Sequence, residues 1–225
     1  MQHGGRRLVR FPEVTDVNIL CYGDSNTYGY RPDWKGRYPR DVRWTGRLQT
    51  LLGPEHYVIE DGLNGRTCAV PDTHRAGRSA LDALPVALEC HMPLDWLILA
   101  FGTNDVKIEK TRTLDGAAGA MEQLVGMVKQ KLPPETRVLF ITSAPLREPV
   151  LGVDPDFDAL SIRLSEQLAG AHREICARYG IFHMDAGEIV RTSDVDGEHY
   201  DEANHAALAE AVARFILEHG KEDHT

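Results

Sequence analysis

The chain has 225 residues, 42% hydrophobic and 26% charged, with 25 Lys and Arg against 34 Asp and Glu for a formal charge of −9. That length suits one α/β domain with a full core and leaves little room for a second. The negative sign argues against nucleic acid or an anionic membrane as partner, because phosphate binding relies on clustered cations, and no apolar run approaches the about 18 residues of a membrane span.

The Arg-rich "GGRRLVR" at the N-terminus is too short to reverse that sign, and no apolar segment follows it. Residues 1–15 are therefore expected to form a peripheral arm of a single domain spanning 1–225, and not a secretory signal. "VNILCY" (17–22) reads as a buried strand that stops at Gly23, with Ser25 two residues further on. In "RWTGRLQTLLG" the apolar positions Trp44, Leu48, Leu51 and Leu52 share one helical face, and Gly53 makes a natural stop. "YVIE" (57–60) reads as the second strand and leads into "GLNGRT"; "DWLILAF" (95–101) reads as the third and leads into "GTND".

"LDGAAGAMEQLVGMVKQKL" places Leu114, Ala118, Met121, Leu124, Val125 and Val128 on one face before Pro133 and Pro134 end it. A fourth strand, "RVLFIT" (137–142), is followed by residues 144–164, the longest stretch without a clear period. A long helix then closes on Gly180, "IFHMD" (181–185) supplies a fifth strand, and "EANHAALAEAVARFILEHG" is the last helix. Alternating strands and helices predict a parallel sheet covered on both faces, a flavodoxin-like three-layer α/β/α sandwich of about five strands. In such sheets functional groups gather beyond the carboxyl ends of the strands, where Ser25, Asn104 and the loop after Glu60 all belong.

A nucleophilic serine needs a base, a group that orients the base, and donors for the oxyanion. Asp196 and His199, three apart in "SDVDGEHYDEANH", can face the same side of one turn. Asp196 would then accept from Nδ1 of His199 and leave Nε2 for a serine supplied from elsewhere. Gly65 lets backbone approach a ligand closely, and Asn104 offers a side-chain amide. Each piece has a plainer reading: Ser25 as a helix cap, Asn104 and Asp105 as turn residues, and a DxxH spacing arisen by chance. Their joint order along the chain and their places at strand ends carry the argument.

"GDSNTYG", "GLNGRT", "GTND" and "DGEH" together resemble the four blocks of the SGNH, or GDSL-type, hydrolases, in order and over about residues 17–218. "DVRWTG", "FGTNDVK" and "DGEHYDEAN" resemble the arylesterase-like branch that includes a mycobacterial acyltransferase. The resemblance implies Ser25 as nucleophile, His199 as general base and then acid, and Asp196 as its orienter. It implies an oxyanion hole of the Ser25 N–H, the Gly65 N–H and the Asn104 amide, and no metal or organic cofactor. Asn26 stands where many members have Leu or Ile, and Glu60 where the second block often begins with Asn; Asn26 is taken as part of the pocket wall, and Glu60 is given no catalytic role.

Trp44 and Tyr30 are further candidates for the substrate pocket, although Trp44 suits core packing equally well. Asp24 is expected to hold the turn by backbone hydrogen bonds. Arg43 and Arg66 read as ordinary exposed arginines, and His205 as a surface residue of the last helix. His199 and His205 lie six apart, unlike the i, i+4 pair of HExxH zinc sites, so no metal is assigned. Cys21, Cys68, Cys90 and Cys176 are far apart with no CxxC pair, which suits free thiols in a reduced, cytoplasmic protein. Burial of Cys21 in its strand argues against a thiol nucleophile.

These readings converge on a serine esterase of short-chain, acetyl-type esters such as aryl esters, with acyl transfer as a further capacity. The rivals are a carbohydrate deacetylase of the same fold and a catalytically silent binding or assembly module. Because His199 must be neutral to act as base, activity is expected to rise with pH through an apparent pKa near ~6.5. By resemblance, residues 144–164 build subunit contacts and narrow the entrance, which implies a homo-oligomer, an octamer as in some relatives.

Overall fold

The sheet is built from apolar runs whose alternate residues face opposite covers. A computed structural model describes residues 17–220, so the expected N-terminal arm lies outside the described residues. The strands are β1 (Val17–Gly23), β2 (His56–Gly62), β3 (Trp96–Phe101), β4 (Arg137–Thr142) and β5 (Phe182–Asp185). All neighbours pair in parallel, in the order β2-β1-β3-β4-β5. The helices are α1 (Ser25–Tyr28), α2 (Trp44–Leu52), α3 (Ala80–His91), α4 (Leu114–Lys131), α5 (Val150–Val153), α6 (Ala159–Tyr179) and α7 (Glu202–His219).

Ile19, Cys21, Trp96, Ile98, Leu139 and Ile141 form one face of the sheet, buried with residues of α2 and α7. Leu20, Tyr22, Leu97, Leu99 and Phe140 form the other, buried with residues of α3, α4 and the end of α6. The period of two along each strand thus splits one continuous apolar run between two cores. The α/β sandwich and its doubly wound order are those expected. Trp44 is fully buried in the first core, where truncating so large a side chain typically costs about 3–5 kcal/mol.

Three details depart from the sequence reading. Leu51, expected on the buried stripe of α2, is 49% exposed. Helix α3 is unexpected, because Pro85 sits inside it and removes one hydrogen bond from the ladder. Its signal is nonetheless present: Ala80, Leu84 and Leu88 recur every four residues and are buried. Residues 144–164, read as lacking a clear period, hold α5 and the start of α6, and Leu146, Val150 and Phe157 pack with Leu164 and Leu168 in a third apolar cluster.

Candidate active site

β1 leaves the sheet through a turn that only a glycine can make. A Cβ on Gly23 would lie 2.2 Å from Thr27 Oγ1 and 2.7 Å from the Ala100 carbonyl oxygen. Asp24 caps the short helix that follows, its Oδ1 accepting from the Asn26 N–H at 2.9 Å. Burial pushes the Asp24 carboxyl up to about 6, against the opposing pull of the peptide N–H groups it accepts. Ser25 is the first residue of α1, so its N–H is one of the first-turn donors that no helical carbonyl satisfies. Hydroxyl and N–H therefore share one end of the sheet.

His199 arrives from the other end of the chain. Its Nδ1 lies 2.7 Å from Asp196 Oδ2, and its Nε2 lies 3.0 Å from Ser25 Oγ. Asp196 is fully buried, and its Oδ1 also accepts the peptide N–H groups of Glu198 and His199, each at 3.0 Å. One carboxylate thus fixes both the backbone of the turn and the ring it carries. Burial pushes the His199 imidazole down, but the Glu198 and Asp196 carboxylates override it and hold the ring above its ordinary 6.5. The value near 6.5 expected from the sequence therefore moves upward.

Asn26 does not line the cavity; it grips the loop of His199 from behind. Its Nδ2 donates to the Glu198 carbonyl at 3.3 Å and its Oδ1 accepts from the Tyr200 N–H at 3.0 Å. The two bonds straddle His199, so the residue after the serine holds the peptides before and after the histidine. Trp44, also expected in the pocket, is core, and its backbone N–H donates to His205 Nδ1 at 3.3 Å.

Gly65 and Asn104 complete the floor of a cavity of about 300 Å³ that also exposes Ser25 and His199. Gly65 has φ of +78°, a conformation that L side chains rarely adopt. Asn104 opens a single 3-10 turn after β3 and donates one amide proton to the Arg66 carbonyl at 3.1 Å, which leaves the second amide proton for a ligand. Tyr30 and Trp34 form one wall, the Tyr30 ring lying 5.2 Å from the His199 ring. Lys107, Asp154 and Asp156 also line the cavity, with Lys107 Nζ 2.9 Å from Asp156 and 3.8 Å from Asp154.

Other sequence expectations resolve at this level. Arg43 and Arg66, read as exposed, are buried. Arg43 makes a two-pronged pair with Glu60 at 2.9 and 3.0 Å, to which Thr45 also donates, so Glu60 staples β2 to the start of α2. Arg66 donates to the Gly23 and Asp61 carbonyls at 3.0 and 2.6 Å and stacks over Tyr22, bracing the turn beneath Ser25. His205, read as a surface residue, is fully buried. Burial raises the Cys21 thiol well above its ordinary range, as its strand position suggests. Among the described residues, no group of three or more His, Cys, Asp and Glu is placed to hold a metal, and no helix is long and apolar enough to cross a membrane.

The sequence reading passes over Trp34, Lys107, Asp154 and Glu198 as cavity residues. Glu198 carries a readable signal, because it stands inside the "DGEH" block beside the histidine. Its side chain is 4% exposed, and burial pushes its carboxyl up to about 7, against the pull of His199 and Lys107.

The pattern of the GDSL-like lipase/acylhydrolase family matches residues 21–216, most of the chain. The chain belongs to that family. Solved structures agree. Est24, a carbohydrate acetylesterase from Sinorhizobium meliloti, is 31% identical with a TM-score of 0.84, over 90% of this chain and 99% of its own. The native aryl esterase of M. smegmatis is 33% identical with a TM-score of 0.83, over 90% of this chain and 99% of its own. A lipase/acylhydrolase from Enterococcus faecalis, at 17% identity and a TM-score of 0.60 over 89% of this chain and 95% of its own, shares the fold. No curated protein matches the sequence. As a GDSL-type hydrolase with esterases of two kinds as structural neighbours, the chain is a carboxylic ester hydrolase.

Proposed function

We propose that this GDSL-type hydrolase is a serine esterase of short-acyl, acetyl-type esters, acting through Ser25, His199 and Asp196. The observation that carries the reading is the His199 ring, 2.7 Å from Asp196 on one nitrogen and 3.0 Å from Ser25 on the other, at the floor of the cavity. Nε2 takes the proton of Ser25 as Oγ attacks the ester carbonyl. The oxyanion is met by the N–H groups of Ser25 and Gly65 and the free amide proton of Asn104. Nε2 then gives its proton to the departing alcohol, leaving an acyl-enzyme that a second nucleophile cleaves. With water this is hydrolysis, and with an alcohol it is acyl transfer. The cavity volume, about 300 Å³, lies at the small end of ligand sites and suits a short acyl group with a small alcohol.

The first test is hydrolysis of p-nitrophenyl acetate by the native protein and by Ser25→Ala. Turnover that collapses in the alanine form supports the reading; equal slow rates in both overturn it and bring the silent binding module forward. Within the esterase reading, the charged wall of Lys107, Asp154 and Asp156 favours a second candidate, an ester whose alcohol carries hydroxyl groups, as in a carbohydrate acetylesterase. Specificity constants on acetylated xylo-oligosaccharides against aryl acetates separate the two. The same proposal has Leu151 and Val153 of α5, both exposed, covered by another copy of the chain. A single molar-mass peak at monomer size by light scattering would sink that assembly.

A further inference from the structure

Glu198 is a buried carboxyl lining the cavity whose side chain makes no hydrogen bond to Ser25 or His199. Its backbone is fixed on both sides: the N–H donates to Asp196 at 3.0 Å and the carbonyl accepts from Asn26 at 3.3 Å. The side chain is thereby turned into the cavity, where Oε1 lies 3.7 Å from His199 Nε2. Oε2 is buried and has no hydrogen-bond partner among the described residues. A carboxylate oxygen left so is costly unless something else completes it.

The distance of 3.7 Å is too long for a direct hydrogen bond, and Nε2 already faces Ser25 Oγ at 3.0 Å. Once Ser25 is acylated, however, Nε2 must face the second nucleophile. A hydroxyl poised about 3 Å from Nε2 to give up its proton also comes within reach of Glu198. Water has two protons and satisfies both acceptors at once. An alcohol has one, so above about pH 7, where Glu198 is ionised, an alcohol that serves His199 sets its alkyl group against the carboxylate and leaves that charge unsolvated. We infer that Glu198 selects water over alcohols as the nucleophile of the second half-reaction, and so biases the enzyme toward hydrolysis and away from acyl transfer.

The step balances without another reactant. Water oxygen bonds to the acyl carbon while one of its protons passes to His199 Nε2; the other stays on oxygen, hydrogen-bonded to Glu198. Collapse of the tetrahedral intermediate breaks the bond to Ser25 Oγ, which takes the proton back from Nε2, and the carboxylic acid leaves. Glu198 neither gains nor loses a proton.

This inference rests on the serine-esterase reading, and the test keeps the two apart. Native protein, Glu198→Gln and Glu198→Leu are given p-nitrophenyl acetate with a fixed concentration of 1-butanol, and butyl acetate and acetic acid are quantified. The product ratio depends on partition of the acyl-enzyme and not on how fast it forms, so a general loss of activity leaves it unmoved. Glu198→Leu is expected to raise the ester-to-acid ratio about tenfold, the scale of one lost hydrogen bond. Glu198→Gln, which keeps an acceptor oxygen but loses the charge, is expected to raise it less. A ratio within twofold of native in both variants overturns the assignment, as does a shift toward acid. Soluble variants that release no p-nitrophenol overturn it as well, since Glu198 would then act before the acyl-enzyme exists. If native turnover disappears in Ser25→Ala, any of these failures leaves the esterase reading standing.

Discussion

The loop that ends at His199 and the first turn of α7, six residues further on, each bury a histidine, and the two rings behave in opposite ways. Both are almost wholly out of water, at 4% and 0% exposure. His199 has a carboxylate at 2.7 Å on one nitrogen and a hydroxyl at 3.0 Å on the other. His205 has the Trp44 backbone N–H at 3.3 Å on Nδ1, edge-on contacts with Tyr38 and Tyr200, and no partner for Nε2 among the described residues. Desolvation pushes both imidazoles down; it prevails at His205, to about 3, and is overridden by carboxylates at His199. Burial therefore does not make a base. The Glu198 and Asp196 carboxylates beside the ring suit His199 to the proposed role, and His205, neutral and accepting, ties the first turn of α2 to α7 instead.

Removing the groups that separate the two rings tests this contrast. The largest effect is expected for Ser25→Ala, which removes the proposed nucleophile; p-nitrophenyl acetate turnover should fall by on the order of 10⁶. Asp196→Asn makes the surroundings of His199 resemble those of His205. With the orienting carboxylate gone, kcat should fall by about 10⁴, with circular dichroism confirming an intact fold. Asn26→Leu frees the peptides on either side of His199 while leaving the ring and its carboxylate in place. Loss of that alignment should cost about 10²-fold in kcat with little change in KM.

Smaller effects follow from pH. On the proposed mechanism only neutral His199 takes the serine proton, and its pKa is raised, so kcat/KM of the native protein should climb with pH through a value above 6.5 and then level off. A profile flat from pH 5 to 8 would contradict that role. His205 has the opposite sign: its folded-state pKa is depressed, so the unfolded chain binds the extra proton between about 6.5 and about 3. Its contribution is complete above 6.5 and is lost as pH falls toward 3. His205→Leu should therefore flatten that acid limb of the thermal midpoint, at a cost of about 1 kcal/mol at neutral pH for the acceptor lost by Trp44.

The sequence speaks clearly where a signal is local. Strand positions follow from apolar runs, and the turn at Gly23 from a glycine–aspartate–serine exit, because neighbours in the chain enforce both. Ser25, His199 and Asp196 are brought together as the order of their blocks suggests, since strand ends in a doubly wound sheet converge. What is not legible depends on partners far away in the chain. Asn26 reads as a pocket wall because nothing nearby reveals that residues 198 and 200 accept and donate across it. Arg43 reads as exposed because its partner, Glu60, belongs to another element. His205 is a different kind of miss: with Leu208, Ala209, Val212, Ala213 and Ile216 it lies on the buried stripe of α7, and only its polarity suggests the surface. The position is readable; the imidazole's partner on α2 is not.

The grip of Asn26 on the loop of His199 joins residues 174 positions apart in the chain, counted from its bond with Tyr200. Ser25, the proposed nucleophile, opens α1 just past β1, whereas the proposed base and its orienter come from the loop that leads into α7. A growing chain can thus lay down Ser25 and much of the sheet while the serine remains an ordinary alcohol. On the proposed mechanism, reactivity arrives only when the loop before α7 docks against Ser25, so a chain that has not yet folded that loop home cannot cut an ester.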